Sequence, residues 1–98
     1  MVRHIVFWRL SGATADEKKA AGEKIRAALE GLRGRIPGLR KIEVGIDFSQ
    51  TPESSEVALY SEFDSREALA AYQKHPEHQT VLPTIRALVA ERRLVDYE

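Results

Sequence analysis

The first strand-like segment, residues 2–10, is apolar on both of its faces. One face carries His4, Val6 and Trp8, and the other carries Ile5 and Phe7. Because successive side chains of a strand point to opposite sides, a strand with two apolar faces has to be covered on both sides. We therefore expect the chain's own helices to cover one face and a partner subunit to cover the other.

Two segments carry apolar residues at the three- and four-residue spacing of an amphipathic helix. The first begins at Thr14, with Glu17 completing a capping box, and is expected to end at Gly34 and Pro37. The second covers residues 65–74, with Asp64 as its expected N-cap. Pro83 is expected to start a further helical stretch after an irregular piece.

Alternating apolar and polar residues predict three more strands, over residues 39–48, 56–63 and 89–97. In the last of these, Val89, Val95 and Tyr97 are expected to share a face. The order strand, helix, strand, strand, helix, strand is typical of an α+β, ferredoxin-like βαββαβ fold, in which helices cover one face of a four-stranded antiparallel sheet. The open sheet face predicts a two-fold homodimer with the sheets facing each other.

Composition narrows the functional classes. The 98 residues are expected to form one domain, 1–98, with fifteen basic and fifteen acidic residues and no cysteine. A balanced charge argues against nucleic-acid binding, which relies on a basic surface. The absence of thiols excludes disulfides and a cysteine nucleophile. The longest apolar run, Ile5 to Trp8, is too short to cross a membrane, and the N-terminus lacks the pattern of a secretory signal. We expect a soluble, cytoplasmic protein.

The segment from Tyr72 to His78 contains the most side chains that could act in catalysis or ligand binding. Pro76 disfavours helical backbone at His75, so one helix should end near Lys74 or His75 and the next should begin at Pro76. His78 would then lie in the first turn of the new helix, where the positive end of the helix dipole favours a neutral imidazole. A neutral imidazole is what a general base requires, and Tyr72 could orient a substrate carbonyl.

Each of these residues could instead have a purely structural role. A His-Pro pair is common at helix breaks, Tyr72 could be a core aromatic with a wet hydroxyl, and His4 could be a buried histidine with a satisfied hydrogen bond. His75 and His78 have the spacing of a metal-binding pair, but no third ligand accompanies them, so we expect no metal site.

Four motifs resemble the stress-responsive dimeric α/β-barrel (Dabb) family. They are the opening Val2-Arg3-His4-Ile5-Val6, the strand end Phe63-Asp64-Ser65, the segment Tyr72-x-x-His75-Pro76-x-His78, and the closing Val95-Asp96-Tyr97. The resemblance covers essentially the whole chain and implies a dimeric barrel of ferredoxin-like subunits. One plant member of the family closes a linear polyketide by aldol condensation without a cofactor. The resemblance implies that its base matches His78, its tyrosine Tyr72 and its first-strand histidine His4, whereas a further histidine of that enzyme falls on Val57.

The leading hypothesis is a small-molecule pocket between sheet and helices, with cofactor-free proton abstraction next to a carbonyl. His78 would be the base, Tyr72 and His4 would orient the substrate or stabilise an enolate, and His75 would contribute to ligand binding. A non-catalytic ligand-binding or stress-response protein is one alternative. A cofactor-free monooxygenase of the related dimeric barrels is another, in which Trp8 and Tyr60 would line the pocket. The sequence leaves open whether the chain is an enzyme.

Overall fold

Seven regular elements follow one another in a computed structural model that describes all 98 residues. They are β1 (Val2–Leu10), α1 (Ala15–Glu30), β2 (Leu39–Ile46), β3 (Val57–Phe63), α2 (Arg66–Lys74), α3 (Pro76–Arg86) and β4 (Val89–Tyr97). The strands form one antiparallel sheet in the order β2-β3-β1-β4. The predicted ferredoxin-like α+β fold is confirmed, with the second helical region divided into two helices. None of the helices is both long and apolar enough to span a bilayer.

Strand β1 occupies an interior position in the sheet, as its two apolar faces require. It pairs with β3 on one side and with β4 on the other, so that His4 lies opposite Ser61 and Asp96. The helix-facing residues of β1 are all buried, and they are Val2, His4, Val6, Trp8 and Leu10. This alternation places an imidazole and an indole in the layer between the sheet and the helices.

Helix α1 begins as predicted and ends earlier than predicted. The Thr14 hydroxyl accepts a hydrogen bond from the backbone N–H of Glu17 at 3.1 Å. After Glu30 the bonding tightens to three-residue turns, with Leu32 N–H donating to the Leu29 carbonyl. Leu32 and Ile36 remain buried although they are outside the helix. The apolar spacing therefore predicted which residues pack in the core, but not where the helix stops.

Helices α2 and α3 meet at the expected break. His75 has an extended backbone (φ −65°, ψ 137°), and Pro76 is the first residue of α3. Two predicted details are wrong. Ser65, not Asp64, caps α2, because the Asp64 carboxylate pairs with the Arg40 guanidinium instead. Pro83 lies inside α3, where the exposed ring costs one backbone hydrogen bond while Ile85 beyond it is buried.

The position of α2 against the sheet depends on a close approach at Gly38, just before β2. Gly38 has a positive φ of 81°, and a Cβ added there would lie 2.6 Å from the Cβ of Ala68 in α2. Only glycine adopts this conformation without strain and leaves room for the helix.

A bulge in β4 changes which residues face the helices. Arg9 pairs with Glu91 while Leu10 pairs with Val89, so Ala90 is the extra residue. Val89 consequently faces the helices, whereas Val95 and Tyr97 face the open side of the sheet. The prediction that these three share a face is therefore wrong, since strict alternation does not reveal a bulge.

No helix covers the other face of the sheet. Large apolar side chains stay accessible on it, with Phe7 40%, Val95 46% and Tyr97 46% exposed. In the register of the strands Ile5 lies between Tyr60 and Val95, near the middle of this surface. We call the surface formed by Ile5, Phe7, Tyr60, Val95 and Tyr97 the open face.

Candidate functional site

A cavity of about 280 Å³ lies between the helix-facing side of the sheet and helices α2 and α3. Its walls are largely apolar and include Val6, Trp8, Leu59, Leu82 and Ile85. The polar side chains that line it are His4, Tyr72, Gln73, His78, Arg86 and Arg92. An apolar hollow with a few convergent polar groups is the usual form of a small-molecule site.

Tyr72, in the last turn of α2, lies between the two cavity histidines. Its ring centroid is 4.3 Å from that of His78 and 6.3 Å from that of His4. The residue is only 1% exposed, and its hydroxyl has no hydrogen-bond partner within the chain. Burial raises the pKa of Tyr72 to about 12, against the opposing charge of Arg92. The phenol therefore stays protonated at neutral pH and offers an unused donor.

His78 enters the cavity from the first turn of α3. Its Nδ1 lies 3.3 Å from the backbone carbonyl oxygen of Gln73, and because a carbonyl only accepts, Nδ1 carries the proton and Nε2 is left with a free lone pair. Burial lowers the pKa of His78, the Gln73 carbonyl opposes this, and the charges of His4, Arg92 and Arg86 lower it further. The imidazole is thus held neutral, as a general base requires, chiefly by burial.

His4 reaches the same cavity from β1 and is 3% exposed. Its Nδ1 is hydrogen-bonded to the carboxylate of Asp96, the residue opposite it on β4. Since an ionised carboxylate only accepts, Nδ1 is the donor and the ring orientation is fixed. Nε2 makes no hydrogen bond within the chain. No sequence pattern points to a role for Asp96, and only the pairing register of β1 and β4 identifies it.

Of the six candidate residues, the structure brings His4, Trp8, Tyr72 and His78 together in one cavity and leaves out two. Tyr60 points to the open face, where its hydroxyl donates to Glu62 at 2.7 Å and the Lys41 ammonium lies 5.5 Å from its ring centroid. The prediction that Tyr60 lines the pocket is wrong because alternation along β3 turns Leu59 and Ser61 towards the helices instead.

His75 also lies outside the cavity, and its placement corrects the expectation that it contacts a ligand there. Its Nδ1 accepts a hydrogen bond from the backbone N–H of Glu77 at 3.1 Å, so the imidazole caps α3. No group of three or more His, Cys, Asp or Glu side chains is gathered so as to hold a metal ion.

The capping role of His75 predicts a specific effect on stability. His75→Ala should lower the free energy of unfolding by about 1 kcal/mol, because the Glu77 N–H loses its acceptor. His75→Asn should restore most of this loss, since asparagine is a good N-cap. Urea unfolding of the three proteins measures both values. Equal destabilisation by alanine and asparagine would contradict the capping role.

The cavity combines a neutral imidazole with a free lone pair, an unused phenol donor and an imidazole oriented by a carboxylate. Such a set can remove a proton from carbon and stabilise the negative charge that develops on an adjacent oxygen. Arg86, at the end of α3, and Arg92, beyond the β4 bulge, also line the cavity, but no sequence pattern around either residue indicates a pocket.

Comparison with known sequences places this chain among small proteins of similar length. An uncharacterised protein of Streptomyces coelicolor is 35% identical over 101 aligned positions, which cover 100% of this chain and 99% of the relative. Among solved structures, a dimeric protein of unknown function and ferredoxin-like fold from Bacteroides fragilis is 36% identical, with a TM-score of 0.88, covering 99% of this chain and 94% of the other.

A more distant structure shares the fold alone. A putative antibiotic biosynthesis monooxygenase from Nitrosomonas europaea is 24% identical, with a TM-score of 0.74, and the match covers 100% of this chain and 97% of the other. The stress responsive A/B barrel domain model matches residues 2–98. The chain therefore belongs to the stress responsive A/B barrel domain (Dabb) family.

Proposed function

We propose that this protein is a homodimeric, cofactor-independent catalyst that abstracts a proton from the carbon next to a carbonyl group, with His78 as the base. One observation carries the proposal: a neutral imidazole and a buried phenol without a partner line the same cavity. An unsatisfied buried hydroxyl destabilises the folded protein, and a ligand oxygen at that position would satisfy it.

In the proposed step, the Nε2 lone pair of His78 takes the proton from the carbon, and the electron pair of the broken C–H bond moves to form an enolate. The Tyr72 hydroxyl donates a hydrogen bond to the enolate oxygen, where negative charge develops. His4, oriented by Asp96, helps to position the substrate. The enolate then either recovers the proton from His78, or its carbon attacks a second carbonyl of the same molecule. The second path closes a ring, and the alkoxide that forms on the attacked carbonyl takes the proton from His78.

Hydrogen–deuterium exchange tests this step without knowledge of the natural product. Small ketones, oxo acids and thioesters are incubated with the protein in D₂O, and loss of the proton signal next to the carbonyl is followed by NMR. At least one class is expected to exchange faster with the wild-type protein than in buffer alone. If no compound in the panel exchanges faster with the protein than in buffer alone, the proposal is contradicted.

Tyr72→Phe is expected to separate activity from stability. Removing the hydroxyl should slow exchange about 10²-fold, because the developing oxyanion loses its donor. The same change should raise the free energy of unfolding by about 1 kcal/mol, because a buried unsatisfied group disappears. Exchange rates and urea unfolding measure the two effects. Tyr60→Phe, on the open face, is the matched control and should leave exchange unchanged; a Tyr72→Phe variant with wild-type exchange would remove the phenol from the mechanism.

A second candidate is a cofactor-free monooxygenase acting on an activatable aromatic compound. Trp8 in the cavity wall supports it, and the fold shared with the Nitrosomonas protein is compatible with it. The position of Tyr60 on the open face removes one of the two aromatic residues on which this alternative depended. Oxygen consumption with quinol-type substrates would favour it over proton abstraction. A ligand-binding protein without catalysis is the remaining alternative, and it would bind a compound without accelerating exchange.

We further propose that two subunits associate through the open face. The Bacteroides fragilis structure is described as dimeric, which supports a dimer for this chain. The exposed side chains of Phe7, Val95 and Tyr97 form an apolar surface whose contact with water is unfavourable. A two-fold axis through this surface would cover the second apolar face of β1.

A further inference from the structure

Arg86 and Arg92 differ from the other arginines of the chain in having no partner. Of the ten arginines, six form ion pairs with carboxylates, and these are Arg9, Arg26, Arg35, Arg40, Arg66 and Arg93. Arg33 donates to the Ile42 carbonyl, and Arg3 lies over the ring of Tyr97. The two that remain come from different elements, and both line the cavity that holds His78.

The charged side chains that line the cavity are therefore arginines alone, both exposed to solvent, although the chain has a net charge of zero. No aspartate or glutamate lines it. Arg92 lies on the helix-facing side of β4 opposite Trp8, and Arg86 ends α3. Both guanidinium groups are close enough to lower the pKa of His78, and Arg92 acts on Tyr72 as well. A ligand carrying a negative charge would meet two unpaired guanidinium groups beside the proposed base.

We propose that the cavity takes a small carbonyl compound bearing a carboxylate, whose charged group Arg86 and Arg92 bind. This inference rests on the proposed function and names the substrate class of the same site. Guanidinium groups match carboxylates in geometry and form strong charge-assisted hydrogen bonds with them. The apolar wall at Val6, Trp8 and Leu59 suits a hydrocarbon or aromatic body, and the Tyr72 hydroxyl is free for the carbonyl oxygen. The volume of about 280 Å³ restricts the ligand to a small metabolite.

A matched pair of probes tests the charge requirement. Phenylpyruvate carries a carboxylate, a carbonyl, an acidic C–H bond and an aromatic ring, and its methyl ester keeps all of these except the charge. The wild-type protein is expected to bind phenylpyruvate at least about tenfold more tightly than the ester, as measured by NMR titration. In the double variant Arg86→Gln/Arg92→Gln this preference should disappear. Inorganic phosphate, titrated alone, should bind more weakly than phenylpyruvate.

The control is the double variant Arg66→Gln/Arg93→Gln, which changes the net charge equally but alters residues outside the cavity. It should retain the wild-type preference, and unfolding curves for both double variants verify that each is folded. The inference is overturned if wild-type protein binds acid and ester equally, if it binds neither at millimolar concentration, or if the control loses the preference as well. Phosphate binding as tight as that of phenylpyruvate would overturn the assignment to carboxylates.

Failure of the proposed carboxylate site can be distinguished from failure of the proposed proton abstraction. Binding that depends on Arg86 and Arg92 without deuterium exchange would support the carboxylate site and reject proton abstraction. Exchange of phenylpyruvate that depends on His78, with binding and exchange unchanged in the Arg86→Gln/Arg92→Gln variant, would support proton abstraction and reject the carboxylate site.

Discussion

Replacing His78 by glutamine is expected to slow deuterium exchange next to a carbonyl by about 10²- to 10⁴-fold, the usual contribution of a positioned general base. The amide of glutamine can keep a hydrogen bond to the Gln73 carbonyl, but it has no basic nitrogen. His78 is only partly buried and makes one weak hydrogen bond at 3.3 Å, so the free energy of unfolding should change little. Exchange monitored by NMR and urea unfolding measure both quantities on the same preparations.

The matched control is His75→Asn, which changes the other histidine of the segment while keeping the cap of α3. It should exchange at the wild-type rate. If His78→Gln also exchanged at the wild-type rate, His78 would not be the base. Equal loss in both variants would instead show that the segment matters only through its structure.

The pH dependence provides an independent signature of the same residue. Burial lowers the pKa of His78, so the neutral base should persist below the ordinary histidine value of about 6.5, and the acid limb of the exchange rate should fall below that pH. The unfolded chain binds a proton at a higher pH than the folded chain does. His78 therefore contributes stability above pH 6.5, and this contribution is lost as pH falls towards the lowered pKa. His78→Gln should remove both dependences.

Substituting Phe7 by lysine on the open face is expected to convert a dimer into monomers. Phe7 is 40% exposed in the single subunit, and in a two-fold dimer through this face the substitution would add a charge from each subunit. Burying an unpaired charge costs several kcal/mol, so the dissociation constant should rise by a factor on the order of 10² or more. Sedimentation velocity across a micromolar concentration series measures this change.

Leu94→Lys is the matched control for Phe7→Lys. Leu94 is 44% exposed, similar to Phe7, but the register of β4 places it opposite Val6 on the helix-facing side. Its replacement should leave the dimer intact. A wild-type protein that sediments as a monomer at micromolar concentration, or a Phe7→Lys variant that stays dimeric, would contradict association through the open face.

Local patterns were reliable where one residue decides the backbone. Pro76 ends one helix and starts the next because it restricts His75 and lacks an N–H. The alternation of β1 placed His4 and Trp8 on one shared face, and the order of elements was enough for the ferredoxin-like fold. Predictions failed where two neighbouring residues could each cap the same helix. Ser65 replaced Asp64 as the cap of α2 because Arg40, distant in sequence, pairs with the Asp64 carboxylate.

The positions of the candidate site residues were also predicted only in part. The expectation that His4, Tyr72 and His78 meet in one cavity came from the fold class and the family resemblance, which place the first strand beside the second helical region. Tyr60 was assigned to the pocket although its own strand turns it to the open face. Asp96, Arg86 and Arg92 were missed because only long-range pairing, not their neighbours in sequence, brings them to the cavity.

By itself, the sequence determined the order of strands and helical regions and the alternating faces of β1, β2 and β3, because backbone preferences and side-chain alternation act over a few residues. The tertiary structure decided which groups act on one another. It provided the carboxylate that orients His4, left the Tyr72 hydroxyl without a partner, and placed two unpaired guanidinium groups around the cavity. The physical reason is that strand register pairs Asp96 with His4 and Arg92 with Trp8, whereas the packing of α2 and α3 on the sheet brings Tyr72 and Arg86 to the cavity. Both depend on contacts between distant parts of the chain.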